Sequence, residues 1–152
     1  MQPKLTSEPA CERVDGSFLR GLLGYNTRRA TLKIFDVFQQ RTAKFGLNPV
    51  EFSVLSLIGR NPNVSPSQLC AELALLPPNL TKILQRLSRK HLIVRYRSST
   101  DKRAICLKVS EQGSDQLQQL EKIVTRLERD MAERLTDKQL EMLMGFLQRV
   151  YE

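Results

Sequence analysis

Two short segments near the middle of the chain alternate apolar and polar residues, and a polar segment lies between them. Val94 and Tyr96 alternate with arginines in the first, and Ile105, Leu107 and Val109 occupy every second position of the other. A period of two residues is typical of β-strands, because successive side chains of a strand point to opposite faces. The pattern therefore predicts a β-hairpin.

Most of the remaining chain has apolar residues spaced three and four positions apart, which predicts helices. Capping signals mark several helix starts, with proline directly after Asn48 and again after Ser65. The pair Pro77-Pro78 is expected to break the chain before the next helix. In order, the predicted elements are residues 15–45, 49–60, 66–75, 79–90, the hairpin, a long helix after the Ser110 cap and a last helix after the Thr136 cap.

This order is typical of a winged helix-turn-helix, in which two short helices precede a charged hairpin. We expect a mainly α fold with a β-hairpin wing and with N- and C-terminal dimerisation helices. The expected organisation is a flexible tail over 1–14, a dimerisation region over 15–47 and 111–152, and a DNA-binding lobe over 48–110. The apolar stripes of the last two helices exceed what a small core can cover, which favours a homodimer.

The distribution of charge narrows the class of partner. The net charge is +8, and eight of the 24 basic residues lie between Lys82 and Arg103, where Asp101 is the one acidic residue. Basic residues concentrated in this way indicate an anionic partner, and double-stranded DNA is the expected one. The sequence shows no apolar run that would span a bilayer and no export signal, so we expect a cytoplasmic protein without a membrane partner.

Enzyme chemistry finds little support in the sequence. The chain has one histidine, His91, and no motif pairs it with a nucleophile. A glycine-rich phosphate loop and a cluster with metal-ligand spacing are both missing, so no cofactor or metal is expected. Cys11, Cys70 and Cys106 are odd in number and far apart, which argues against a disulfide framework.

The candidate DNA-binding residues fall on three segments. On the helix from Asn79, amide side chains can bond adenine, Arg86 can bond guanine and Lys82 can contact a phosphate. The helix start at Ser65 offers N–H groups and hydroxyls to a phosphate, and the hairpin tip can reach a minor groove. A solvated helix face would explain two or three of these charges but not the whole block. The candidates are Ser65, Ser67, Gln68, Pro78, Asn79, Thr81, Lys82, Gln85, Arg86, Arg97, Asp101, Lys102 and Arg103.

The segment LPPNLTKILQRLSRKHLIVRYRSSTDKRAICLKVSEQG resembles the recognition helix and wing of the MarR (multiple antibiotic resistance regulator) family. Asp101 and Arg103 match the family's Asp-x-Arg wing signature, and the order of helices extends the resemblance over about residues 15–152. The resemblance implies a homodimer that binds a pseudo-palindromic operator, commonly as a repressor released by small anionic or phenolic ligands. It also implies that Asp101 forms a salt bridge with a wing arginine. His91 departs from the family, which usually has glycine after the recognition helix.

Candidate effector-binding residues lie on the first predicted helix. Arg29 belongs to the apolar stripe Leu22-Tyr25-Arg29-Leu32, with Arg28 beside it, and a cation in such a stripe requires an anionic partner. One interpretation is a structural salt bridge or a side-chain stem that extends to solvent. The other is a ligand carboxylate or phosphate at these arginines, with Tyr25 and Phe52 enclosing an aromatic ring. MarR-family regulators of aromatic-acid catabolism are similar in carrying arginines on this helix, which favours an aromatic carboxylate or its CoA thioester.

Two alternative functions remain open beside that of a ligand-responsive repressor. A thiol-based redox-sensing repressor would use Cys11, because an accessible thiol near cations ionises readily. A nonspecific architectural DNA-binding protein would also account for the positive charge. A steep preference for one operator over random DNA would distinguish a regulator from an architectural protein.

Overall fold

The computed structural model describes residues 14–97 and 105–152. It is mainly helical with one two-stranded sheet, which confirms the predicted fold class. The elements are α1 (Ser17–Arg20), α2 (Leu23–Thr42), α3 (Pro49–Arg60), α4 (Pro66–Glu72), α5 (Pro77–Arg89), β1 (Ile93–Arg97), β2 (Ile105–Val109), α6 (Glu111–Met131) and α7 (Asp137–Tyr151). A 3₁₀ turn, Ala43–Phe45, follows α2.

The hydrophobic core lies within Ile34–Glu152, one of the two units into which the chain divides, and the described part of the other unit is residues 14–33. Most of its residues are leucines, which come mainly from the buried faces of α3, α5 and α6 and from Leu107 of β2. Within the described ranges, no helix has the length and apolarity needed to cross a membrane. The buried core residues are Leu47, Val54, Leu55, Ile58, Leu69, Leu80, Leu84, Leu87, Leu92, Ile93, Leu107, Leu117 and Leu120.

Side-chain caps start the helices where the sequence predicted them. The Asn48 Oδ1 accepts a hydrogen bond from the N–H of Glu51 at 2.9 Å, and the Glu51 carboxylate accepts one from the N–H of Asn48 at 3.0 Å. Ser65 and Thr136 form the same kind of capping box at the starts of α4 and α7. The Ser110 hydroxyl caps α6. Helix starts are therefore set locally, by residues readable in the sequence.

The predicted helix over residues 15–45 is interrupted, so that prediction was wrong in its continuity. The first helical segment ends at Arg20, and a regular helix resumes at Leu23. The Asn26 Nδ2 donates to the carbonyl of Arg20 at 2.9 Å and to that of Leu22 at 2.7 Å. An asparagine side chain thus satisfies carbonyl groups at the end of α1, which stabilises the break.

Two other helix ends differ from the prediction. α4 ends at Glu72 rather than near Leu75, because Ala74 has a left-handed backbone with φ of 49°. α5 begins at Pro77, whereas the sequence pattern placed its start at Asn79. Proline suits the first helical turn because the N–H that it lacks would have no helical partner there.

The predicted hairpin is present and is fastened to the turn between α3 and α4. β1 and β2 pair antiparallel, with Tyr96 opposite Cys106. The N–H of Leu107 donates to the carbonyl of Val64 at 3.1 Å, and the Tyr96 hydroxyl donates to the side-chain oxygen of Asn63. Both strands therefore have a fixed position relative to the helix-turn-helix.

Burial along β2 is less regular than the alternation suggested. Cys106 and Leu107 are both buried, whereas Ile105 is 50% exposed. Ile105 is the residue of β2 nearest the hairpin tip, and the core does not extend that far. The base of the hairpin belongs to the core, and its outer end does not.

Close packing fixes the place where α6 begins. The N–H of Ser110 donates to the carbonyl of Leu92 at 3.0 Å, which joins the helix start to the residue before β1. A Cβ atom on Gly113 would lie 2.0 Å from the same carbonyl oxygen, nearer than nonbonded atoms can approach. Only glycine therefore lets α6 start this close to Leu92.

Replacement of Gly113 by alanine should strongly destabilise the fold. We expect Gly113→Ala to lower the free energy of unfolding by about 2–3 kcal/mol, because the backbone of Leu92 must move and the core with it. Gly24→Ala is the matched control, since a Cβ there meets nothing within 4 Å. Urea denaturation followed by circular dichroism measures both variants, and a Gly113→Ala protein as stable as the parent would contradict the packing argument.

Candidate nucleic-acid interface

α5 has one buried and one exposed face, as the sequence predicted. Leu80, Leu84 and Leu87 are buried at spacings of three and four residues. The helical period places the remaining side chains on the opposite surface. That exposed face carries Asn79, Lys82, Gln85, Arg86 and Arg89. It therefore presents amides and cations together on a helix that the leucines hold in place.

The polar residues at the start of α4 are already bonded to one another. The Ser65 hydroxyl lies 2.9 Å from that of Ser67 and 3.0 Å from Gln68 Oε1. The Gln68 side chain also accepts from the N–H of Ser65 at 2.9 Å. These predicted phosphate-contacting side chains are thus brought together, but primarily as a helix cap.

Two further candidates lie at the start of α5. Pro78 is exposed in the first turn, and the Thr81 hydroxyl donates to the carbonyl of Pro77 at 2.9 Å. This hydroxyl is therefore bonded within its own helix, although Thr81 as a residue is exposed.

Arg86 has a partner that the sequence reading missed. Its Nη1 lies 2.9 Å from Oε1 of Glu51, which is 1% exposed, while the Arg86 side chain is 53% exposed. The N–H direction does not meet the oxygen, so within the described residues Oε1 accepts no hydrogen bond and the contact is an ion pair. The acid at the start of α3 was readable as a capping residue, but no local signal connects it with an arginine of α5.

The structure describes only some of the candidate DNA-binding residues of the hairpin wing. Arg97 is exposed at the end of β1, and Arg95 is exposed on the same strand. The Lys108 Nζ lies 5.6 Å from the centroid of the Tyr96 ring, a cation–π contact across the hairpin. Asp101, Lys102 and Arg103 lie outside the described residues, as does the salt bridge expected for Asp101.

His91 occupies a left-handed turn between α5 and β1, with φ of 57°. The Ser110 hydroxyl donates to its carbonyl at 2.5 Å, so the turn is bonded to the start of α6. The conformation is the one in which glycine is favoured. Histidine therefore adopts the backbone expected at this position at some steric cost.

The cysteines and the acidic residues form no metal site in the part of the chain that the structure describes. Cys70 is half-buried and Cys106 is buried. Cys11 lies outside the described ranges. The redox alternative therefore gains no second thiol that is well exposed among residues 14–97 and 105–152.

The candidate effector residues lie on two helices. Tyr25 is half-buried on α2, and Arg28 and Arg29 are exposed beside it. Neither arginine forms an ion pair with any residue that the structure describes. Phe52 lies on α3, and its ring centroid is 5.8 Å from that of Phe38, so it already has an aromatic neighbour.

Comparisons with known proteins agree with this geometry. A family model described as MarR family matches residues 45–104. The chain is 33% identical over 149 residues to a protein of Thauera aromatica named as a transcriptional regulatory protein for the hcr operon. That match covers 97% of this chain and 89% of the relative.

Solved structures of the transcriptional repressor CouR share the fold. CouR bound to a 23-mer DNA duplex superposes with a TM-score of 0.86 at 32% identity, covering 93% of this chain and 100% of that one. CouR bound to p-coumaroyl-CoA superposes with a TM-score of 0.82 at 30% identity, covering 92% and 99%. These similarities confirm the predicted winged helix-turn-helix, and the proteins concerned are transcriptional regulators rather than enzymes.

Lys82 provides a test of how α5 meets DNA. We expect Lys82→Ala to weaken binding to all DNA sequences alike and to lower the slope of log K against log salt concentration by about one, the loss of one phosphate contact. Lys122→Ala, on the exposed surface of α6, is the control with the same change of charge. Fluorescence anisotropy with a random-sequence duplex measures both slopes, and equal slopes would remove Lys82 from the interface.

Proposed function

Because this chain belongs to the MarR family of transcriptional regulators, we propose that it is a homodimeric repressor of a pseudo-palindromic operator, released by an aromatic carboxylate or its CoA thioester. The observation that carries the DNA-binding part is α5, whose buried leucines leave a continuous face of amides and cations exposed. In this proposal residues 48–110 are the DNA-binding lobe, and residues 15–47 and 111–152 are the dimerisation region.

Recognition of the operator would follow from the chemistry of α5. Asn79 and Gln85 can bond adenine edges in the major groove, and Lys82 can neutralise a phosphate. The turn before α4 would approach the sugar-phosphate backbone of the DNA, and the wing with Arg97 would enter a neighbouring minor groove. The hydrogen bonds from the hairpin to Asn63 and Val64 support this role, because they give the wing a defined direction relative to α5.

The homodimer is supported by apolar surface that the single chain leaves uncovered. Across Asp137–Tyr151 no residue is buried, although the helix is rich in large apolar side chains. Contiguous apolar patches of this kind are uncommon on monomers and mark interaction surfaces. A second copy would cover the patch by the same residues on both sides, as twofold symmetry requires. The exposed apolar residues of α7 are Met142, Leu143, Met144, Phe146, Val150 and Tyr151.

A charge within this patch should separate the subunits. We expect Leu143→Asp to shift the protein from dimer to monomer and to abolish operator binding, because two half-sites then bind independently. Gln148→Asp adds the same charge to α7 at a polar, exposed position and should leave the dimer intact. Multi-angle light scattering at micromolar concentration gives the mass directly. A parent protein with monomer mass would refute the dimer.

The effector proposal has two supports. The CouR relative is found with p-coumaroyl-CoA, and the relative of Thauera aromatica is named for the hcr operon. In this chain, Arg28 and Arg29 are exposed on α2 beside half-buried Tyr25. Guanidinium groups bind carboxylates and phosphates through paired hydrogen bonds, and the tyrosine ring offers an apolar face to an aromatic group.

Release would act through the geometry of the dimer. The two recognition helices must lie about 34–36 Å apart to engage both half-sites. A ligand that binds a conformation with another spacing shifts the population toward the free protein, by no more than the difference between its two affinities. Phe52 is not needed for this proposal, because the charges and the ring named above lie on α2.

Aromatic CoA thioesters should release the protein from DNA through Arg28 and Arg29. We expect p-coumaroyl-CoA or benzoyl-CoA to dissociate the complex, and alanine at either arginine to weaken the effector by about tenfold, the loss of one charge-assisted hydrogen bond. Arg28→Lys keeps the charge and should lose less. Anisotropy titrations with each thioester, p-coumarate and CoA alone measure this.

Equal release of the parent and both alanine variants would mean that these arginines are structural. Release by peroxide that Cys11→Ser abolishes, without any response to thioesters, would favour the redox-sensing repressor. A protein that binds all duplexes with equal affinity would instead be an architectural DNA-binding protein.

A further inference from the structure

We propose that Arg86 is a positioning residue rather than a base reader, and that its ion pair with buried Glu51 sets the orientation of α5 in the operator. This inference rests on the proposed function as a sequence-specific regulator. It assigns to Arg86 a role different from the guanine contact that its place on α5 first indicated. The argument begins with Glu51, because a buried carboxylate constrains whatever pairs with it.

Glu51 is held in one orientation by its own helix. It occupies the third position of α3, where its carboxylate accepts the N–H of Asn48 at 3.0 Å. The first turn of a helix carries unpaired N–H groups and a partial positive charge, which attract the oxygens of an acidic side chain. The capping bond uses Oε2, so Oε1 remains directed away from the cap.

The Oε1 atom of Glu51 is stable only with a positively charged group nearby. It is buried, and within the described residues its near neighbour of opposite charge is Arg86, at 2.9 Å. A buried carboxylate oxygen without a counter-charge is strongly unfavourable, and removal of one partner from such a pair costs more than the pair contributes. Arg86 therefore cannot turn its guanidinium fully toward DNA without leaving Glu51 uncompensated.

The ion pair between Arg86 and Glu51 limits the rotation of α5 about its axis and its movement along that axis. The buried leucines hold α5 against the core, but apolar contacts are not directional and tolerate small shifts. A single charged contact from the last turn of α5 to the start of α3 removes that freedom. Because Lys82 and Gln85 lie on the same helix, any rotation of α5 displaces their side chains together.

The two roles of Arg86 predict different patterns of base preference. A base reader that is removed relaxes the preference at one base pair and leaves the rest of each half-site unchanged. A positioning residue that is removed weakens preferences at several positions, because every reader on α5 moves. Glu51 separates the two cases, since at 1% exposure its side chain cannot itself touch DNA.

The experiment uses Glu51→Gln, Arg86→Met and the double variant of the full-length protein. Glutamine at the third helical position also supports a capping box, so Glu51→Gln removes the charge and keeps the cap. Arg60→Met is the matched control, because Arg60 is an exposed arginine of α3 that forms an ion pair with Glu121 and lies outside α5. Selection of bound sequences from a randomised duplex pool gives the preference at each position, and circular dichroism establishes that each variant is folded.

We expect Glu51→Gln and Arg86→Met to flatten the preferences at several positions of each half-site and to weaken the selected operator at least tenfold. The double variant should match the single ones, and Arg60→Met should keep the parent's preferences. Reduced stability alone lowers the active fraction of protein and leaves the base preferences unchanged. Flattened preferences in a folded Glu51→Gln protein thus report orientation.

Three results would overturn the proposal. Parent-like preferences in Glu51→Gln with a loss at one base pair in Arg86→Met would make Arg86 a base reader. A uniform loss of affinity with a lower salt slope in Arg86→Met alone would make it a phosphate contact. If the parent protein selects no sequence, the proposed regulator function fails, and this role of Arg86 fails with it.

Discussion

The whole arrangement depends on holding α5 by one face while the other face stays in solvent. Leu80, Leu84 and Leu87 meet this requirement, because all three are buried in the same core as α3 and α6. Each buried leucine contributes about 1.5–3 kcal/mol, so the three together are comparable with the net stability of a small domain, about 5–15 kcal/mol. Packing of α5 is therefore inseparable from folding of the core that it shares with α3 and α6.

Buried leucines also hold the hairpin and the helix that follows it in place, together with backbone hydrogen bonds. Leu92 is buried at the end of the turn after α5, and its carbonyl accepts the N–H of Ser110 at the start of α6. Leu107 of β2 is buried and bonds the turn between α3 and α4 through its N–H. The wing is thus positioned by backbone hydrogen bonds, by core leucines and by the bond from Tyr96 to Asn63, while Arg95 and Arg97 of β1 remain exposed.

Local features of this fold could be predicted from the sequence, and features that depend on tertiary contacts could not. The caps at Asn48, Ser65 and Thr136 are short-range patterns, and the hairpin has a clear period of two. The break before α2 depends on the Asn26 side chain reaching back to two carbonyls, which no hydrophobic pattern records. The partner of Arg86 could not be predicted for a similar reason. Glu51 is far from α5 in the sequence, and no local pattern distinguishes Arg86 from the other basic residues of α5 and the hairpin as its partner.

In the proposed mechanism of release, α6 would connect a movement of the C-terminal helices with α5. Its 21 residues span roughly 30 Å, at about 1.5 Å per residue. The close approach of Gly113 to Leu92 fixes the first turn of α6. A tilt of α6 must therefore also move the residues that follow α5. A tilt of roughly 5° moves the far end of such a helix by roughly 3 Å, and in the proposed dimer such a movement would change the distance between the two recognition helices. Release requires an equilibrium between a DNA-binding conformation and a free one. To shift it from 1:99 to 99:1, ligands must favour one of the two states by about 5.5 kcal/mol. In the proposed dimer, two effector sites would divide that requirement, so that a moderate preference at each site would be sufficient.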